Sequence, residues 1–102
     1  SALRPVKGKN GTTVVADSRM DCNGTNAWAR QLCTQIQEEF GFIWYNRGTG
    51  CSANSPGVKT LANAWNVSCA GHGQDNWRNR TDATDSAYAT KVRFSAASTI
   101  TC

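Results

Sequence analysis

Twelve residues, "CAGHGQDNWRNR" from Cys69 to Arg80, hold the one histidine of the chain, His72, together with Asp75, Trp77, Arg78 and Arg80. An imidazole exchanges protons near neutral pH, so His72 is the natural centre for any acid–base chemistry. A two-imidazole pair of the kind that cleaves RNA is excluded, and so is a metal site with two His ligands. What remains is one imidazole with a carboxylate and a cation. Glu38 or Glu39 as base, His72 as acid and Arg78 or Arg80 as phosphate clamp would make a ribonuclease-like set. Nothing in the linear order brings Glu38 to His72. A Cys69–His72 nucleophile pair is disfavoured, because a secreted cysteine is oxidised rather than a free thiolate. Serine-hydrolase and phosphate-cradling glycine motifs are absent, and none of the seven acids stands out as a glycosidase pair.

The same stretch also reads as a recognition surface. Trp77 offers an aromatic anchor, flanked by the forked donors of Arg78 and Arg80 and by His72, residue types enriched where interfaces bind tightly. Its alternative is a ring folded back as a lid on a small core. A third possibility is a protease inhibitor that presents "NRGTGCSANSP", with Arg47 as its specificity residue beside Cys51.

The elements that must position these residues come from 102 amino acids, enough for one domain that buries roughly two-thirds of its unfolded surface. "TNAWARQLCTQIQEEFG" repeats Trp28, Leu32, Ile36 and Phe40, and predicts an amphipathic helix with Thr25 as N-cap and Gly41 as its stop. "FIWYN" (42–46) predicts a central, buried strand. "NSPGVKTLANAW" predicts a second helix entered at Ser55 and Pro56. "TTVVA" and "AYATKVRFS" read as strands, and "STITC" as a terminal strand or an extension. Residues 71–86 show no apolar period and read as a long displayed loop. The expected fold is therefore α+β: a small antiparallel or mixed sheet of three to five strands with two helices on one face, stabilised by disulfides. Residues 1–11 form a flexible lead-in and 12–102 the globular domain.

Cys22, Cys33, Cys51, Cys69 and Cys102 have no metal-ligand spacing, so four of the five are expected to pair, with the connectivity open. Asn10, Asn23, Asn66 and Asn79 open N-x-S/T sequons. No 18-residue apolar run and no signal-peptide pattern occurs, which reads as a mature, secreted monomer without a transmembrane segment. The net charge of +4 is dispersed, giving only weak, nonspecific attraction to anionic surfaces. No cofactor or metal is implied.

In kind, the chain resembles small secreted fungal proteins that serve as effectors, elicitors or killer toxins. That resemblance implies a binding protein directed at a protein or glycan of a host or competitor. The alternatives are a small secreted ribonuclease or other hydrolase using His72, with Glu38 and Arg78, and the protease inhibitor.

Overall fold

The computed structural model describes residues 1–22 and 27–102. Their eight strands are β1 (Val6–Lys7), β2 (Thr13–Asp21), β3 (Ala29–Phe40), β4 (Ile43–Ala53), β5 (Thr60–Ser68), β6 (Gln74–Asp85), β7 (Thr90–Phe94) and β8 (Ser98–Thr101). No helix occurs among the described residues, so the α+β expectation is corrected to an all-β fold of two antiparallel sheets. One sheet runs β1-β2-β5; the other runs β4-β3-β6-β7, with β8 continuing alongside β6.

The first expected helix is β3. A repeat of four also falls on one face of a strand, whereas on a helix it drifts by about 40° at each step. Leu32, Thr34, Ile36 and Glu38 all point inward and are buried. Thr34 and Glu38 are polar, which hid the alternation. The Thr25 cap expected for that helix lies outside the described residues. The second expected helix is the Pro56-Gly57 turn followed by β5. The region read as a displayed loop is mostly β6, whose inward positions include Trp77, Asn79 and Thr81, all buried. Of "FIWYN", residues 43–46 lie on a strand and Phe42 falls in the turn before it, but β4 is an edge strand with much of its surface exposed, not a central buried one.

Between the sheets, Val14, Ala16, Ile36, Cys69, Trp77 and Ile100 form the apolar core. Beside it runs a polar seam. Ser18 Oγ lies 2.7 Å from Thr81 Oγ1 and accepts from Thr34 Oγ1 at 2.7 Å, and Asn63 Nδ2 donates to Thr34 Oγ1 and to the Gly50 carbonyl, each at 2.8 Å. Asn79 Nδ2 donates to the Asp17 carbonyl at 2.7 Å and to that of Leu3 at 3.2 Å, tying the first residues to both sheets. Buried polar groups are tolerated because they are bonded in this way. Gly48 and Gly50 of β4 leave room for Trp65 of β5, since a Cβ at Gly50 would overlap the indole.

Two disulfides complete the frame. Cys33–Cys51 joins the neighbouring strands β3 and β4, and Cys69–Cys102 ties the chain end to the start of the β5–β6 connection. Cys22 is a free thiol. Of the sequons, Asn79 is fully buried and occupied by hydrogen bonds, so it cannot carry a glycan as folded. Asn23 lies outside the described residues.

Candidate functional site

Glu38 stands near the end of β3 on its inward face, with a side chain only 2% exposed. A buried carboxylate needs partners, and three converge on it. The first comes from a β-bulge. Ile36 pairs with Gly48 and Gln37 with Asn46, which leaves Arg47 as the extra residue of β4. Bulges re-aim side chains; this one sends Arg47 Nε to Glu38 Oε1 at 2.8 Å. Asn46 Oδ1 accepts from the Gly48 amide at 3.0 Å and braces the bulge.

The second partner is His72, between Gly71 (φ 81°) and Gly73 (φ 71°), a left-handed backbone that favours glycine. The His72 amide donates to the Cys69 carbonyl at 3.0 Å, and the Cys102 amide to the Gly73 carbonyl at 2.9 Å, so the Cys69–Cys102 bridge fixes this turn from both ends. From there Nδ1 lies 3.0 Å from both oxygens of Glu38. An ionised carboxylate only accepts, so Nδ1 carries a proton and Nε2 is the nitrogen left for a substrate. The imidazole side chain is 33% exposed and packs at a tilt on Trp77, 5.7 Å between centroids.

Asp75, at the start of β6, is the third partner. Burial pushes the Glu38 carboxyl up, but hydrogen bonds from Asp75, His72 and Arg47 and the charge of His72 outweigh it, and Glu38 titrates below the ordinary glutamate range. The hydrogen bond to Glu38, then burial and the Glu38 charge, push Asp75 the other way, above the ordinary aspartate range. Two carboxyls whose environments drive their pKa values apart are a recurrent arrangement at sites that move protons.

The structure thus brings together Glu38 and His72 of the expected catalytic set, but supplies Arg47 and not Arg78 as the cation. Arg78 lies on the outer face of the larger sheet, its guanidinium carbon 4.3 Å from the ring centroids of both Trp44 and Phe94, with Nε donating to Gln37 Oε1 at 2.7 Å. Arg80 pairs with Asp82 at 3.0 Å, away from the histidine. Glu39 bonds Asn76. Trp77 is wholly buried beneath His72, so its ring is part of the core and presents no surface. The sequence shows Asp75 only as a neighbour of His72 and Arg47 only as the specificity residue of an inhibitor loop, and assigns neither to the acid–base set. Asp75 lies three residues after His72, and Arg47 sits in a Gly-rich stretch of β4 that reads as a turn.

Glu38, His72 and Asp75 each offer one ligand atom within 4.8 Å of the others, a possible three-ligand metal set. Arg47 holds one of those oxygens and would repel a dication, so the donor set fits proton transfer better than metal binding. No protein-family model matches the chain, and no curated protein is significantly similar to it. What is shown is a small cysteine-containing protein with two disulfides, and no helix of the described residues is long and apolar enough to cross a membrane.

Proposed function

We propose that the protein is a small secreted hydrolase of the ribonuclease type, in which His72 and Asp75 move protons at a phosphodiester. The observation that carries this reading is the Nδ1 contact of His72 with buried Glu38, in a cluster that also holds Arg47 and Asp75. Other acid–base reactions fit less well. No serine, threonine or cysteine side chain bonds His72 among the described residues, so the nucleophile must come from elsewhere. Carboxylate oxygens of Glu38 and Asp75 lie within 4.8 Å of each other, inside the roughly 5 Å or greater separations of glycosidase carboxylates. RNA brings its own nucleophile, the 2′-hydroxyl.

In that reaction Asp75, more basic than an ordinary aspartate, takes the 2′-hydroxyl proton as the oxygen attacks phosphorus. The P–O5′ bond breaks, and His72 in its protonated form, with Nδ1 against Glu38, gives its Nε2 proton to the departing 5′-oxygen. The proton gained by Asp75 is shared with Glu38, and the free donors of Arg47 offset charge on the phosphoryl oxygens. A 2′,3′-cyclic phosphate results. Water opens it with the roles exchanged: His72 takes a proton from water and Asp75 returns one to the 2′-oxygen.

Secretion is part of the proposal, supported by the two disulfides. So is a toxic or effector role, since cleaved RNA harms a host or competitor cell. A purely binding function has its own support in the Trp44–Arg78–Phe94 stack, in which Phe94 is exposed and Trp44 and Arg78 are half-buried. Incubation with single-stranded RNA separates the two: cleavage abolished by His72→Ala supports the hydrolase, and intact RNA rejects it.

A further inference from the structure

Next to the acid–base cluster, and sharing Asp75 with it, lies an open cavity of about 440 Å³. Phe42, at the tip of the β3–β4 hairpin and 98% exposed, lines it. The two-residue turn has positive φ at both Gly41 (60°) and Phe42 (70°). Such a turn favours asparagine or glycine, and a bulky aromatic residue is strained in the left-handed region. An unsupported aromatic ring held in that conformation does nothing for the core. It does provide a flat apolar surface that lines the cavity.

Glu39 also lines the cavity. Asn76 Nδ2 donates to its Oε1 at 3.2 Å, and Asn76 is itself fixed by Thr99 Oγ1, which donates to Asn76 Oδ1 at 2.8 Å. The carboxylate is thereby oriented, with acceptor capacity to spare on both oxygens. An aromatic ring and an oriented pair of acceptors lining one cavity suit a planar ligand that shows two adjacent N–H donors along one edge.

We propose that this cavity is the base pocket of the acid–base site and that it selects guanine, with Phe42 stacked on the ring and Glu39 accepting from N1–H and the exocyclic N2–H. The inference rests on the ribonuclease reading for its placement beside the scissile phosphate. Guanine alone among the four RNA bases offers adjacent donors on its pairing edge. Adenine, cytosine and uracil each set an acceptor lone pair against the carboxylate there. A fork of hydrogen bonds to a charged group discriminates by roughly 10- to 100-fold.

The test is calorimetric titration of the intact, disulfide-bonded protein with the 3′-monophosphates of guanosine, adenosine, cytidine and uridine, alongside cleavage of a mixed-sequence RNA. The guanosine nucleotide is expected to bind at least about 10-fold more tightly than the others. Glu39→Gln should erase that preference. Phe42→Gly, which also relieves the backbone, should weaken the guanosine nucleotide about 10-fold while the protein remains folded by circular dichroism. Equal binding of all four, or a preference that survives Glu39→Gln, overturns the pocket. The two readings fail separately: cleavage without base preference rejects the pocket and leaves the ribonuclease, whereas guanine-selective binding without cleavage supports the pocket and rejects the ribonuclease.

Discussion

Glu38→Gln retains the shape of the buried side chain and removes its charge. In the wild type that charge receives Arg47 at 2.8 Å and His72 at 3.0 Å, and it raises the Asp75 pKa. A hydrogen bond to a charged group contributes about 1.5–3 kcal/mol when buried. Arg47 and His72 are 38% and 33% exposed, so once released both recover water, and their share scales nearer to that of surface pairs. The expected net loss at neutral pH is about 2 kcal/mol, which lowers the melting temperature of a chain this size by about 10 °C. Its pH dependence is the sharper signature. Glu38 is shifted down, so its contribution is present above the ordinary value of 4.5 and is lost as pH falls through its folded pKa. Asp75 is shifted up, so its contribution is present below 3.8 and is lost as pH rises through its folded pKa. The gap between wild type and variant should therefore shrink towards acid and ease slightly once Asp75 ionises. Thermal melts followed by tryptophan fluorescence across that range measure it. A gap of constant size at every pH would refute the coupling of Glu38 to these partners.

Trp77→Ala removes the largest fully buried side chain and should cost about 3–5 kcal/mol, seen as a collapse in denaturant midpoint. Gly50→Ala should destabilise by about 1–3 kcal/mol in the same assay, because the added methyl displaces Trp65. Mass mapping without reduction should return Cys33–Cys51 and Cys69–Cys102 peptides, with alkylation confined to Cys22. In activity profiles against pH, the acid limb set by Asp75 should move to lower pH in Glu38→Gln, since the carboxylate that raises Asp75 is gone; an unmoved limb removes Asp75 from the base role.

Apolar patterning located several strands and misassigned others for one physical reason. Where inward residues are hydrophobic, as at Val14 and Ala16, the strand is legible. Where the interior is a hydrogen-bonded polar seam, at Thr34, Asn63, Asn79 and Thr81, the alternation disappears from hydropathy. Hydropathy then makes β3 look like a helix and β6 like a loop. The disulfide framework and a free thiol were legible from cysteine number, though not the pairing. The candidate site was half legible. His72 and Glu38 were recognisable by residue type, but they meet only because β3 pairs with β6 and the Cys69–Cys102 bridge holds the His72 turn against its end. Arg47 depends on a bulge, a register shift that leaves little mark on composition.

The most direct measurement is incubation of the disulfide-intact protein with single-stranded RNA, with analysis of the product ends, beside a His72→Ala variant shown to be folded. The expected result is fragments ending in 2′,3′-cyclic phosphate and a loss of about 10²–10⁴-fold in rate for the variant. RNA left intact by the wild type, or cleaved equally by the variant, contradicts a proton-transfer role for His72 and returns the protein to a binding function.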